Sequence, residues 1–305
     1  MRIEEDLELK AYITNLGKYN EGELIGEWVT FPIEQEKLDE VFKRIGIGEE
    51  DIFGQVYEEF FVTDYDGNIP KDMWRDLGEY TSIEDLQVAG RLLEKINEAG
   101  ADGREIFAAL MDEAGMDYLD AASAVINDEC VYLAGVANDY DLGDYVVNNY
   151  GLSTENASMY FDYQSFGRDC RLDFYGDGEC DDIKDYLGLS QWATDEEIGI
   201  AQVDSIGSVE DLGKETIERY VDLEMLGRDV RIEGSYAFGE NGAVDYGDCR
   251  YDGGSLAEEI KDELISDGII EDPDVRKERL MEEAEKKADE KNKDKKSKTK
   301  DDEVR

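Results

Sequence analysis

Histidine is absent from the 305 residues of this chain. It is the side chain that most often serves as a general base near neutral pH, and the commonest ligand of transition metals. Its absence excludes catalytic triads built on histidine and the usual histidine-containing metal sites. The phosphate-loop pattern GxxxxGK[ST] and the hydrolase pattern GxSxG are absent too. We therefore predict that the protein has no catalytic residue, no cofactor and no enzymatic activity.

Cysteine is scarce, and the four cysteines stand far apart in the sequence, at positions 130, 170, 180 and 249. No two of them form the CxxC spacing that is typical of zinc and redox sites, so we expect them to be reduced and partly buried. Long apolar runs are missing as well, and no signal peptide opens the chain. We therefore expect a cytoplasmic protein that does not bind membranes.

Basic residues are few: 32 Lys and Arg stand against 79 Asp and Glu, which gives a net charge of −47. Residues 272–305 carry nearly balanced charges, so almost the whole acidic excess lies in residues 1–271. Disorder is a common consequence of so much charge, but a hydrophobic content of 41% and an aromatic content of 10% favour a folded core. The sign of the charge argues against binding to nucleic acid or to anionic membranes, and it favours a basic partner.

The stretch Asp64-Tyr65-Asp66-Gly67-Asn68 resembles the middle of a calcium-binding loop. In an EF-hand loop, Gly occupies position 6 and carboxylates occupy positions 1 and 12. Placing Gly67 at position 6 puts Val62 and Met73 at those two positions, so both anchoring carboxylates are missing. We predict no metal site here, and interpret the stretch as a strand over 56–63 that ends in an Asp/Gly/Asn turn.

Apolar periodicity predicts an α+β protein made of an elongated chain of small αβ and helical domains with a strongly acidic surface. Strands are predicted over 7–14, 24–31 and 56–63, and a helix over 33–45; further helices are expected after Ser82 and Gly100 and over 117–128 and 256–265. The predicted domains are an N-terminal αβ domain (1–68), a helical middle domain (69–115), a third αβ domain with acidic helices (116–178), an extra domain (179–271) and a largely disordered tail (272–305).

The extra domain contains a partial repeat of the third. The stretch YFDYQSFGRDCRLD begins at Tyr160, and YVDLEMLGRDVRIE begins at Tyr220, with Tyr, Asp, Gly, Arg, Asp and Arg recurring 60 residues apart. Both stretches carry an apolar stripe at helical spacing, so both are predicted to be helices. The recurrence indicates either a duplication or a chance similarity between two amphipathic helices. The segment after the second copy is predicted to form two strands around a Glu-Asn-Gly turn.

A short acidic helix is predicted over 137–151. Asp141, Asp144 and Asn148 would share one face of it, and Leu142 and Val146 would point into the core. The acids form either an ordinary solvated helix face or part of a binding surface. The total charge favours the second interpretation, because B-DNA carries about one negative charge per 1.7 Å, and a net charge of about −47 at that density would match roughly 80 Å of duplex. We expect such a protein to occupy a DNA-binding groove.

Several separated segments resemble the ArdA antirestriction proteins. The opening LKAYITNLGKYNEGELIGEWVTF is similar to the start of that family, and EEFFVTDYDGNIP, LGEYTSIEDL and YFDYQSFGRDCRLDF are similar to its later segments in the same order. The resemblance covers roughly residues 7–174. It departs from the family pattern after the first Gly-Arg-Asp helix, where this chain continues for some 130 residues.

The resemblance implies a three-part αβ protein that mimics bent B-DNA and forms a homodimer. It also implies binding to the DNA-binding groove of type I restriction–modification enzymes, on their methyltransferase core, and an origin in a mobile genetic element. The candidate partner-binding residues are phosphate-mimicking acids: Asp64, Asp66, Glu84, Asp85, Asp162 and Asp169 from the matched segments, with Asp139, Asp141 and Asp144 from the acidic helix.

Two other functions fit the composition. One is a salt-adapted or calcium-buffering acidic protein, which predicts strong stabilisation by salt or calcium. The other is a decoy for basic DNA-binding proteins, which predicts binding to many basic proteins without preference. Competition with DNA for a type I methyltransferase complex distinguishes these from antirestriction.

Overall fold

The computed structural model describes residues 4–151, 159–176 and 181–272, together with Val275 and Arg279. The chain forms two compact units, each assembled from separate segments. The first unit comprises Met1–Gly100, Asp117–Ile126 and Asp252–Arg305; the second comprises Ala101–Met116 and Asn127–Tyr251. None of the described helices is long and apolar enough to cross a membrane.

A three-stranded antiparallel sheet opens the first unit. Strand β1 (Leu9–Asn15) lies between β2 (Gly26–Phe31) and β3 (Phe60–Asp66). Side chains alternate across a sheet, so Leu9, Ala11 and Ile13 are fully buried on one face of β1. The short helix α1 (Leu16–Asn20) follows β1, and α2 (Gln35–Arg44) lies between β2 and β3.

The described part of the first unit contains four further helices: α3 (Lys71–Leu77), α4 (Ile83–Glu98), α6 (Tyr118–Ile126) and α13 (Gly253–Ser266). Helix α4 packs against both α6 and α13. Its buried Gln87 is satisfied by Ile33, whose backbone N–H and C=O each form a 2.7 Å hydrogen bond with the side-chain amide. This pairing fixes α4 against the segment that follows β2, because an unpaired buried amide would be costly.

The second unit combines a small antiparallel sheet with several helices. In the sheet, β6 (Gly242–Asp245) lies between β4 (Val131–Ala134) and β5 (Tyr236–Phe238). The helices in the described part of this unit are α5 (Gly100–Asp112), α7 (Asp139–Tyr150), α8 (Tyr163–Asp173), α9 (Ile183–Tyr186), α10 (Asp195–Ile206), α11 (Lys214–Tyr220) and α12 (Leu223–Glu233). Val209–Asp211 forms a 3-10 turn. On α5, the buried Glu105 accepts a 3.0 Å hydrogen bond from Asn241 in the β5–β6 turn.

Two of the four cysteines correct the expectation that all are reduced. Cys130, directly before β4, and Cys249, shortly after β6, form a disulfide at one end of this strand pair. Cys170 is free and half-buried, as expected. Cys180 lies outside the described residues.

The mixture of helices and two antiparallel sheets in the described residues confirms the α+β class. Most predicted elements are present within a few residues of their predicted ends. Both ends of one strand were wrong: β3 was predicted over 56–63 but begins at Phe60 and ends at Asp66. Asp64 and Asp66 therefore lie in the strand and not in the turn after it. Strand β4 was not predicted, because its four residues are too few to show a period. The five-domain division stays a prediction, and most of residues 272–305 lie outside the described chain.

Candidate partner-binding site

The nine candidate acids are divided between the two units. Asp64, Asp66, Glu84 and Asp85 lie in the first unit, and the other five lie in the second, on α7 and at α8. The surroundings of each carboxylate determine whether it is available to a partner or is already bound within the protein.

Asp64 and Asp66 lie on the outward face of the first unit's sheet. In the pairing of β3 with β1, Asp64 is opposite Tyr12 and Asp66 is opposite Lys10. Both aspartates are exposed. Their carboxylates accept hydrogen bonds of 2.9 Å and 2.8 Å from the next backbone N–H in the chain, which leaves them directed outward.

Glu84 and Asp85 stand in the first turn of α4, where the helix dipole favours negative charge. Ser82 is the N-cap, as predicted: its hydroxyl accepts a 3.1 Å hydrogen bond from the Asp85 backbone N–H. The same hydroxyl donates a 2.7 Å hydrogen bond to the Asp85 carboxylate. Asp85 therefore also stabilises the start of this helix.

Two crossed helix pairs organise the acids of the second unit. Helix α7 packs against α12, and α10 packs against α8. Each contact is close because glycines face each other: an added Cβ at Gly227 would overlap the Asp139 carbonyl, and one at Gly167 would overlap the Asp195 carbonyl. In both pairs, therefore, a glycine of one helix lies directly against a backbone carbonyl of the other.

An arginine–aspartate ion pair closes each of these helix pairs. Arg231 donates to both carboxylate oxygens of Asp139, at 2.7 Å and 3.3 Å, and Arg171 donates to both oxygens of Asp195 at the same distances. Both ion pairs are bidentate. In the first, the hydrogen bond with Asp139 raises the pKa of Arg231, and in the second, the hydrogen bond with Arg171 lowers the pKa of Asp195. The charge of Asp139 is therefore largely satisfied within the fold.

A second set of matched contacts links the two repeated stretches to each other. The backbone N–H of Asp162 donates to the Tyr220 carbonyl, and that of Asp222 donates to the Tyr160 carbonyl, both at 2.8 Å. Asp162 caps α8 by accepting from the Ser165 backbone N–H at 2.9 Å. Hydrogen bonds with the Ser165 side chain and with its backbone N–H lower the pKa of Asp162. Asp222 caps α12 in the same way, through the Met225 backbone N–H at 2.9 Å.

Asp169 receives three donors. The Tyr220 phenol donates at 2.9 Å, Arg168 at 3.1 Å and Arg219 at 3.0 Å. The Tyr220 hydrogen bond and the Arg168 contact lower the pKa of Asp169. Like Asp139 and Asp162, Asp169 has a role within the fold.

Asp141 and Asp144 are the two acids of α7 that, unlike Asp139, are not paired with an arginine in the described residues. Asp141 accepts a 2.7 Å hydrogen bond from Asn138, the N-cap, and a weaker one from the Ala137 backbone N–H. Within the described residues, Asp144 forms no ion pair and no side-chain hydrogen bond, and it is half-exposed. Leu142 is fully buried on the opposite face, as predicted.

Three acids outside the candidate set have contacts that resemble those of candidate residues. Asp222 and Asp229 match Asp162 and Asp169 at the offset of 60, so the recurrence could have indicated them. Asp195 matches Asp139 at an offset of 56, which differs from the offset of 60 between the two repeated stretches. Among the described residues, no group of three or more metal-ligating side chains is close enough to hold an ion.

Comparison with known protein families shows where this chain has relatives. The family model described as antirestriction protein (ArdA) matches residues 11–180, which is more than half of the chain. All nine candidate acids lie in the matched range, whereas α10, α11, α12, β5 and β6 lie beyond it. The comparison with curated proteins gave no match.

Proposed function

This chain belongs to the ArdA antirestriction family, and from that membership we propose that it blocks type I restriction–modification enzymes by occupying their DNA-binding groove. The partner is the methyltransferase core of such an enzyme. In this proposal the protein is a DNA mimic, has no catalytic residue and needs no cofactor.

The charge of the chain is the observation that carries the proposal. A groove that binds DNA presents Lys and Arg to phosphates, and a net charge of −47 presents carboxylates to the same side chains. Self-repulsion of this size destabilises a folded protein, so an acidic excess that serves no partner would be a cost without a benefit. In a protein that competes with DNA for a basic groove, the acidic excess has a function that offsets this destabilisation.

The local geometry supports a binding surface spread over many acids. Asp64, Asp66 and Asp144 hold carboxylates outward with few or no partners beyond the adjacent backbone. Asp85, Asp139 and Asp169 serve mainly to hold helices in place. We therefore assign the first group to direct contact and the second to positioning, which refines the candidate set.

The mechanism is mutual exclusion. Basic side chains of the enzyme's groove contact either phosphates or these carboxylates, and the two ligands cannot occupy the groove together. Because exposed charges dominate the contact, affinity falls as salt rises and the Debye length shortens. No single carboxylate carries the activity, since each exposed pair contributes little by itself.

Competition between this protein and a DNA duplex for a type I methyltransferase complex, at several salt concentrations, tests the proposal. We expect displacement of the duplex and a steep loss of affinity with salt. Simultaneous binding of protein and duplex would overturn the proposal. Equal binding to unrelated basic proteins would favour the decoy function instead.

A charge-matched pair of variants tests the location of the surface. The first converts Asp64, Asp66, Glu84, Asp141 and Asp144 to their amides, and the second does the same to Asp289, Glu290, Asp294, Asp301 and Asp302. Both remove four aspartates and one glutamate, so net charge changes equally. We expect the first variant to lose competition and the second to retain it. Equal losses would show that only net charge matters.

The family resemblance also implies a homodimer. Analytical ultracentrifugation of the full chain tests this directly. A monomer at the concentrations that inhibit the enzyme would contradict the dimer without affecting the proposed competition.

A further inference from the structure

A groove with exposed aromatic rings lies on the outward face of the first unit's sheet. It has a volume of about 690 Å³ and is lined by Tyr12, Tyr19, Trp28, Phe61, Asp64 and Tyr80, among others. We call it the aromatic groove. Tyr80 is 77% exposed and Trp28 is 43% exposed, which is unusual for large rings on one small face.

Strand pairing builds the centre of the aromatic groove. Tyr12 on the middle strand is opposite Trp28 on one side and Asp64 on the other. The rings of Tyr12 and Trp28 meet edge to face, with centroids 5.3 Å apart. A ring, a second ring and a carboxylate therefore stand in one cross-strand row, at the spacing of adjacent strands.

The walls of the aromatic groove are held by contacts within the fold. The Tyr19 ring packs on Phe61 with centroids 5.0 Å apart, and Phe61 is almost fully buried. On the other side, the backbone N–H of Val62 donates to the Glu79 carbonyl at 2.8 Å, and the Tyr65 phenol donates to the Gly78 carbonyl at 2.6 Å. These two bonds fix the segment that carries Tyr80. A site held in this way loses little freedom when a ligand binds.

The combination of rings and acids determines which ligand fits. Aromatic faces attract cations, and the attraction is larger for a planar guanidinium, which also stacks on rings and pairs with carboxylates. Asp64 and Glu79 line the groove beside the rings and would repel an anion. We propose that the aromatic groove binds an arginine side chain of a basic partner protein. The identity of that partner rests on the proposed function, whereas the ligand chemistry rests on the groove alone.

Tryptophan fluorescence tests the ligand without the enzyme. Trp74→Phe with Trp192→Phe leaves Trp28 as the reporter in the groove, and Trp28→Phe with Trp74→Phe leaves Trp192, which is 83% exposed in the second unit. Each protein is titrated with an oligo-arginine peptide, and with oligo-lysine and oligo-citrulline peptides of equal length. We expect Trp28 to respond to oligo-arginine at a concentration roughly threefold to tenfold below that for oligo-lysine. Oligo-citrulline should give no response.

Two outcomes of this titration would overturn the proposal. An equal response of Trp28 and Trp192 to oligo-arginine would show attraction to the whole acidic chain and no groove. An equal response of Trp28 to oligo-arginine and oligo-lysine would remove the assignment to arginine.

Variants in the competition assay test whether the aromatic groove serves the proposed function. Trp28→Ala and Tyr80→Ala leave the net charge unchanged, and Trp192→Ala is the matched control outside the groove. We expect both groove variants to compete at least about threefold less well with the duplex and the control to be unchanged. Because Tyr80 is the more exposed ring, its variant retains the fold if Trp28→Ala does not. If the wild type competes and Tyr80→Ala competes equally, the groove has no such role. If the wild type does not compete, the proposed function fails. The peptide titration alone then tests whether the aromatic groove binds arginine.

Discussion

The phenol of Tyr220 donates a 2.9 Å hydrogen bond to Asp169, and the phenol of Tyr160 donates a 3.1 Å hydrogen bond to Asp229. The two tyrosines are 60 residues apart in the sequence, and so are the two aspartates. Each repeated stretch thus supplies the tyrosine for one bond and the aspartate for the other. Reciprocal contacts of this kind are those of a two-fold interface between identical partners. Here both partners belong to one chain, which favours duplication over chance similarity.

The two reciprocal bonds should each stabilise the second unit. We expect Tyr160→Phe and Tyr220→Phe each to lower the free energy of unfolding of the second unit by about 1–2 kcal/mol, because a carboxylate loses a donor. Urea unfolding, followed by Trp192 fluorescence in the Trp28→Phe/Trp74→Phe background, measures both losses. Tyr175→Phe is the control, since Tyr175 is 97% exposed. A variant that loses no stability would show that its tyrosine–aspartate bond does not contribute to the fold.

Asp169 should make stability depend on pH in the acid range. Its pKa lies below the ordinary value of 3.8, so its contribution is complete above that value and disappears as pH falls through the lowered pKa. We expect the difference in melting temperature between wild type and Asp169→Asn to be largest at neutral pH and to shrink below about pH 4. Circular dichroism melts between about pH 7 and about pH 2.5 follow it. A difference that stays constant over this range would contradict the assignment.

The glycines between the crossed helix pairs should not accept a methyl group. Gly167→Ala and Gly227→Ala each place a Cβ against a backbone carbonyl of the neighbouring helix, so we expect destabilisation of about 1–3 kcal/mol or more. Gly254→Ala is the control, because Gly254 is also helical but has room for a Cβ. Chemical denaturation of the three variants compares them. A neutral effect at both Gly167 and Gly227 would mean that the helices are farther apart than described.

The Cys130–Cys249 disulfide should stabilise the second unit. It joins residues 119 positions apart, and closing so long a loop restricts the unfolded chain. We expect reduction to lower the free energy of unfolding by about 2–4 kcal/mol. Thermal unfolding with and without a reductant measures this, and Cys130→Ser with Cys249→Ser should remove the response. A wild type that is indifferent to the reductant would show that the bond does not form in solution.

A single outward carboxylate should contribute little to inhibition. Asp144→Asn removes a half-exposed charge that has no side-chain partner among the described residues. We expect it to weaken competition with DNA by less than about fivefold, in line with exposed charge pairs of at most about 1 kcal/mol. The competition assay at two salt concentrations measures the change. Complete loss of inhibition would contradict a distributed surface and would give Asp144 a role of its own.

The sequence by itself determined the class of fold, most elements and the family. Period-2 and period-3.6 patterns predicted the strands β1 and β2 and the helices α2, α4, α7, α8 and α12, because burial on one face is a local property of the pattern. The N-cap at Ser82 was predicted for the same reason, since the cap and the N–H that it accepts are three residues apart. The absence of histidine and the net charge restricted the chemistry without any structure.

Only the tertiary structure decided which acids have partners. Asp139 and Asp144 look alike in sequence, yet Asp139 is paired with Arg231, 92 residues away, whereas Asp144 faces outward. The aromatic groove likewise depends on register: Tyr12, Trp28 and Asp64 meet because three strands align, and no spacing along the chain indicates it. The packing of α7 against α12 and of α8 against α10 was hidden for the same physical reason. Contacts between distant segments depend on how the chain closes on itself, and periodicity records only which face of each segment is buried.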